Sequence, residues 1–316
     1  MRRNSRGLNP ATYIFNSSTP WSDTKIDPGR LVMAYIIVED PKFQIKTSLP
    51  IIRIEEIADE VSFISSLGIN AVKVFIKPAK RSSNIEDAIH IDSFASRVLK
   101  TFRSCSSSLI IHTETCLCPF TTDTECILHN KGVVDESTYD LVAEYAVNQC
   151  EAGANVLGVS CMLNGMAAKV KHEIRSAGFQ SVAVMPHVII KSSFYWPFRR
   201  ETGLVGSKKF RENYIKFHPT DRLGIINQAE SFVAEGADML LIEPACSTID
   251  HLVSSTQRVQ VPVSVFSVSG EFELFFGQNS SDESIRHGIE MYNLCLRCGA
   301  DQIVTYAARR ICTLQS

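Results

Sequence analysis

A chain of 316 residues that is 45% hydrophobic and 21% charged can bury a full core, and its length fits one large barrel or two ordinary domains. Its 32 basic and 34 acidic residues are well mixed and leave a formal net charge of -2, which argues against an electrostatic footprint for nucleic acid. No apolar run reaches the roughly 18 residues needed to cross a bilayer, and the start, MRRNSRGLNPATYIF, has no apolar segment followed by a small-residue cleavage site. The expected setting is the cytoplasm, without a membrane partner, and the expected ligand is a small molecule.

The first 30 residues, rich in Asn, Ser, Pro and Gly with scattered Arg, predict an extended arm that is either free or wrapped around a neighbouring subunit. Short apolar runs rich in β-branched residues follow: LVMAYIIVE (31–39), AVKVFIKP (71–78), SLIIHTE (108–114), NVLGVSC (155–161), VAVMPHV (182–188), MLLIEPA (239–245), VPVSVFSVS (261–269) and QIVTYAA (302–308). Helix-like segments with Gly or Asn at the end precede most of them, such as EEIADEVSFISSLGIN before the second and GIINQAESFVAEGAD before the sixth. A capped helix end followed at once by a strand is the loop chemistry of parallel sheets. No linker or change of composition divides the alternation, so it predicts one (β/α)8 TIM barrel over residues 31–316 behind an N-terminal arm at 1–30. Function should then collect at the C-terminal ends of the strands.

Three of the ten cysteines, Cys116, Cys118 and Cys126, follow the third predicted strand. Ten cysteines in a reducing compartment are expected to be buried small hydrophobes, metal ligands or nucleophiles rather than disulfides. Three thiolates suit zinc and leave a fourth tetrahedral position for water or substrate; thiols that merely pack are the other reading. Glu114, Asp123 and Glu125 are candidate oxygen ligands or supporting groups. Arg199, in the segment from Lys191 to Arg199, is placed to grip a carboxylate in bidentate fashion or else is solvated. Cys295 and Cys298 on a predicted helix read as core residues.

The motifs resemble porphobilinogen synthase (5-aminolevulinate dehydratase) over nearly the whole length. The family's D-x-C-x-C-P-Y-T-x-H-G-H-C stands here as Glu114 to Cys126, its S-D-M-M-D-G as Ser160 to Gly165, and its F-Y-G-P-F-R as Phe194 to Arg199. E-G-A-D-M followed by V-K-P stands as Glu235 to Met239 followed by Ile242-Glu243-Pro244; V-S-G-E is Val268 to Glu271, and G-A-D-x-I-x-T-Y is Gly299 to Tyr306. The resemblance implies a barrel subunit in a homo-oligomer, usually an octamer, that condenses two molecules of 5-aminolevulinate into porphobilinogen on the route to haem. It also implies zinc on Cys116, Cys118 and Cys126, and substrate carboxylates held by Arg199, Ser269, Tyr306 and, in a loosely aligned loop, Lys208.

The pattern breaks at the two lysines that form Schiff bases in the family. The sixth-strand lysine is Glu243, which cannot form an imine. The fifth-strand lysine falls on Ile189, or on Ile190 with a different gap, and leaves Lys191 as the candidate amine, about 6 to 7 Å further along the same strand face. Cys161 and Asn164 replace aspartates, Glu125 replaces a histidine, and Trp196 replaces a glycine, which predicts added bulk and an altered pocket shape. These substitutions set an active porphobilinogen synthase with a relocated amine against a catalytically silent homologue that keeps metal or carboxylate binding and serves as a structural or regulatory partner. A lyase or hydrolase with a new substrate has least support.

Overall fold

The computed structural model of the chain describes residues 25–44, 47–82, 84–130, 133–161, 163–204 and 217–315. Residues 1–24 of the expected arm lie outside these. All eight expected strands are present: β1 (Leu31–Val38), β2 (Ala71–Lys77), β3 (Ile110–Thr115), β4 (Val156–Val159), β5 (Ala183–Ile189), β6 (Leu240–Glu243), β7 (Val263–Ser267) and β8 (Gln302–Thr305). Each pairs in parallel with the next, and β8 closes on β1 through Leu31↔Ile303, Val32↔Val304 and Met33↔Thr305. Small sheet pairings among the described residues also lie outside the alternation. Ile51–Ile52 runs parallel to the end of β1, and His129–Asn130 pairs antiparallel with Val133–Val134 after β3.

The strands read as nearly continuous apolar runs because both of their faces are covered, one by the barrel interior and one by helices. β1 has no exposed residue over its whole length. The surrounding helices are α1 (Ile57–Ser66), α2 (Phe94–Cys105), α3 (Ser137–Glu151), α4 (Met166–Ser176), α5 (Arg222–Ala234), α6 (Ile249–Arg258), α7 (Asp282–Arg297) and α8 (Ala308–Gln315). In α2 the apolar residues Ala95, Val98, Leu99 and Phe102 recur at helical spacing and are buried, which docks the helix by one stripe. The Asp221 carboxylate accepts from Gly224 N–H at 2.9 Å and starts α5, a cap that contributes about 1 kcal/mol. Gly153 and Gly236, at φ +103° and +95°, turn the chain out of α3 and α5 toward β4 and β6, a conformation that costs a residue with a Cβ. Cys295 is buried on α7, as a core residue should be.

Glu271, in the helix Ser269–Phe276 after β7, ties two loops of the barrel mouth together. Its carboxylate accepts from Ala245 N–H at 3.2 Å and Cys246 N–H at 2.7 Å beyond β6, and from Val268 N–H at 3.1 Å beyond β7. Burial raises its carboxyl to about 7, against backbone donors that pull it down. The folded state therefore holds the extra proton between the ordinary carboxylate value of 4.5 and about 7. Its contribution to stability is complete below that window and falls as pH rises through it, by roughly 3 kcal/mol in total. Urea titrations across this range should show that slope in the wild type and its loss in Glu271→Gln.

Candidate active site

The strand ends converge on a cavity of about 320 Å³ at the C-terminal mouth of the barrel. β3 and the loop after it contribute Glu114, Cys118, Glu125 and Cys126, and β5 with its loop contributes His187, Ile189, Lys191, Tyr195 and Arg199. Glu243 comes from β6, Ser269 from beyond β7 and Tyr306 from beyond β8. The cavity thus gathers the described residues singled out for metal or substrate except Asp123 and Cys116, whose buried thiol adjoins Cys118. Lys208 lies outside the described residues.

The three expected thiols are together: the sulfurs of Cys116, Cys118 and Cys126 all lie within 4.8 Å of one another, and the Cys116 and Cys118 sulfurs are 3.3 Å apart. This is the one such cluster of candidate metal ligands among the described residues. Hydrogen bonds with Cys118 and Cys126, and then burial, push the Cys116 thiol up. A cation among the sulfurs reverses that balance, because it stabilises thiolate charge that the protein alone does not. The oxygen groups beside the thiols have other partners. Asp123 Oδ2 meets His129 Nε2 at 2.9 Å, and Glu114 Oε2 lies 2.7 Å from Lys73 Nζ.

Glu243 and Ile189 sit side by side in register on β6 and β5. Neither presents an amine to the cavity. Ile189 and Lys191 both line it, which puts Lys191 in the phase expected of an extended strand, but the lysine is exposed at the rim. Arg199 also lines the cavity, with its guanidinium 5.3 Å from the centre of the Tyr195 ring. Ser269 Oγ accepts from Phe198 N–H at 2.9 Å and donates to the Phe194 carbonyl at 3.1 Å, so it staples the loop that carries Arg199. Tyr306 is buried against the rings of Phe75, Phe266 and Phe272. Trp196 does not carry its added bulk into the cavity lining. It opens the short helix Trp196–Thr202, is 52% exposed, and leaves the cavity wall to its neighbours, because that helix directs its ring to the outer surface.

The residue that sequence reasoning missed is Lys73, so Lys191 is not the only amine to consider near the site. The side chain of Lys73 on β2 is fully buried. Its Nζ lies 2.6 Å from the Thr113 carbonyl, 2.7 Å from Glu114 Oε2 and 3.3 Å from His187 Nε2. Three acceptors match the three N–H bonds of an ammonium, so the nitrogen is engaged on every side that it can donate to. Lys73 also stays out of the cavity wall, beneath Glu114 and His187. His187 in turn places Nδ1 2.9 Å from Glu243 Oε1. Burial, then the adjacent Lys73 ammonium, lowers the His187 imidazole to about 3 against the pull of Glu114. A signal existed in the sequence: Lys73 and His187 have apolar neighbours on either side within their strands, and a buried charge requires a partner.

Fold and site together define a (β/α)8 barrel with a cluster of three thiols at its mouth, beside a cavity that carries an arginine and buried carboxylates. The model of the delta-aminolevulinic acid dehydratase family matches residues 16–314. The chain is 31% identical over 266 residues to the delta-aminolevulinic acid dehydratase of Halalkalibacterium halodurans, covering 82% of this chain and 80% of that one. It is 27% identical over 297 residues to the Bacillus subtilis enzyme of that name, covering 91% of each. The crystal structure of the Toxoplasma gondii porphobilinogen synthase in complex with its product porphobilinogen superposes with a TM-score of 0.86 at 20% identity, over 99% of this chain and 91% of that one. The chain belongs to the delta-aminolevulinic acid dehydratase family and is a porphobilinogen synthase-like protein of tetrapyrrole biosynthesis.

Gly158 on β4 is the clearance for the buried charges. A Cβ there would collide with Lys73 Nζ and lie 2.5 Å from the Thr113 carbonyl and 2.8 Å from His187 Nε2. Gly158→Ala should cost about 1–3 kcal/mol in chemical denaturation. An alanine at Gly29, where the backbone is not left-handed and a Cβ meets nothing closer than 3.4 Å, controls for the loss of glycine by itself.

Proposed function

We propose that this chain binds 5-aminolevulinate in the mouth of its barrel, beside zinc held by Cys116, Cys118 and Cys126, and does not carry out the covalent condensation. The observation behind this reading is the contact of Glu243 with His187, at 2.9 Å, where the family resemblance calls for an imine-forming lysine. A carboxylate offers no nitrogen, Ile189 beside it offers none, and the buried Lys73 is engaged by acceptors outside the cavity lining. Arg199, anchored through the loop that Ser269 staples, supplies bidentate recognition of a carboxylate. Ser269, Tyr306 and Lys208 complete the carboxylate-binding set by family resemblance.

Three sulfur donors fit zinc, and zinc bound there would act as a Lewis acid toward a carbonyl. The protein's own groups bind, orient and exclude water around the ligand. We further propose that the protein assembles as a homo-oligomer, an octamer by family resemblance, and serves as a structural or regulatory member of its pathway in the cytoplasm. One observation favours a second reading, an active enzyme: Lys191 lines the cavity in phase with Ile189. In that reading the exposed amine forms the imine.

Two measurements test these readings. Incubation with 5-aminolevulinate and borohydride, followed by mass spectrometry, should leave the chain without an adduct and without porphobilinogen in the medium; an adduct mapped to Lys191 overturns the non-covalent reading. Elemental analysis of the purified protein should find about one zinc per chain, and Cys118→Ser with Cys126→Ser should abolish it.

A further inference from the structure

A second cavity, of about 400 Å³, shares two helices with the one at the barrel mouth. The helix Trp196–Thr202 carries Arg199 and Arg200 at successive positions, about 100° apart around its axis. Arg199 lines the mouth cavity and Arg200 lines the second. The helix Ser269–Phe276 is divided in the same way: Ser269 at its start lines the mouth, and Glu273, one turn further along, lines the second cavity.

The second cavity has a fixed frame. Arg310 on α8 donates to the carbonyls of Phe276 at 2.7 Å, Gly277 at 2.8 Å and Ser280 at 3.3 Å, and so holds the loop that supplies Gln278 and Asn279 to the lining. Thr47 and Ser48, between β1 and α1, donate their hydroxyl hydrogens to Glu273 Oε1 at 3.0 and 3.1 Å. One oxygen of that carboxylate is therefore occupied and its plane is set, while Oε2 has no partner among the described residues. The Arg200 guanidinium spends Nε on Glu201 Oε1, at 3.1 Å, and its two terminal nitrogens have no partner among the described residues.

A fork of two terminal N–H groups suits a carboxylate, and an open carboxylate oxygen suits an ammonium. One cation and one anion in the same lining leave no net charge between them, which favours a ligand carrying both signs over a bare anion or a bare metal ion. The hydroxyls and amides around them suit a small polar molecule.

We propose that this second cavity is a binding site for a small amino acid in its zwitterionic form, with the carboxylate on Arg200 and the ammonium on Glu273. It is separate from the site at Arg199 and stands whether or not the mouth takes 5-aminolevulinate.

Saturation-transfer NMR of the full chain with the proteinogenic amino acids and 4-aminobutanoate, each alone at millimolar concentration, supplies the probe. At least one should bind, with a dissociation constant of about a millimolar or tighter in calorimetry. The matching amine without the carboxylate and the matching acid without the amine should each bind at least about tenfold more weakly, since each leaves one charge of the lining unpaired. Arg200→Gln and Glu273→Gln should each weaken the probe by about tenfold or more. Both variants keep the frame, because the Arg200 side chain is 56% exposed and a glutamine at position 273 retains an oxygen for Thr47 and Ser48. Arg199→Gln, at the mouth, should leave the affinity for the probe unchanged within about twofold.

Binding by none of these amino acids overturns the proposal. Binding that survives either Arg200→Gln or Glu273→Gln does the same, as does binding lost in Arg199→Gln, which assigns the probe to the mouth. Equal binding of the bare acid or the bare amine shows a polar cleft without selectivity for a zwitterion, and also overturns it. A mouth that fails to take 5-aminolevulinate, with a probe still held through Arg200 and Glu273, leaves this second site standing.

Discussion

The Lys73 ammonium, buried inside a barrel of apolar strands, is the constraint on which the site depends. Moving an ammonium out of water costs several kcal/mol even after the protein relaxes, and only a full set of acceptors offsets this. Thr113, Glu114 and His187 supply that set from β3 and β5, and the missing side chain at Gly158 on β4 leaves the room. The same contacts dictate much else. Glu114 turns toward Lys73 as well as the cavity, burial and the nearby Lys73 hold His187 toward its neutral form, and Glu243 lies 2.9 Å from the His187 ring.

This arrangement separates two functions that a lysine at position 243 would combine. Covalent capture of a ketone needs an uncharged nitrogen in the cavity, and a desolvated lysine beside another cation supplies one. Here the buried lysine has a carboxylate and two further acceptors around it, and a second carboxylate stands at the cavity wall. The other half of the site has changed less: the thiols still cluster and Arg199 still faces the cavity. On the reading proposed above, recognition persists in a fold whose covalent step has been dismantled.

Much of the architecture was legible in the chain. Eight apolar runs separated by capped helices led to the eight strands, because covered parallel strands must be apolar on both faces and helices must end in residues that tolerate the turn. The tri-cysteine cluster and Arg199 were legible because motif and position at a strand end pointed to the same mouth. The direction in which the bulk of Trp196 falls was not legible, because replacing a glycine adds volume without saying where, and here the residue opens the short helix Trp196–Thr202 half exposed. The contacts of the Ser269 hydroxyl, which donates to the Phe194 carbonyl and accepts from Phe198 N–H, were not legible, because they join residues more than 70 positions apart.

By itself the sequence determined the barrel, the family, the thiol triad and the absence of lysine at positions 189 and 243, since each of these is a matter of residue type and order. Only the tertiary structure decided that Lys73, His187 and Glu243 form one chain of contacts. They lie on three different strands, 114 residues separating Lys73 from His187 and 56 separating His187 from Glu243, and nothing in their local spacing relates them. The closing of the barrel brings them within hydrogen-bond reach, where burial turns three isolated polar residues into an obligatory network.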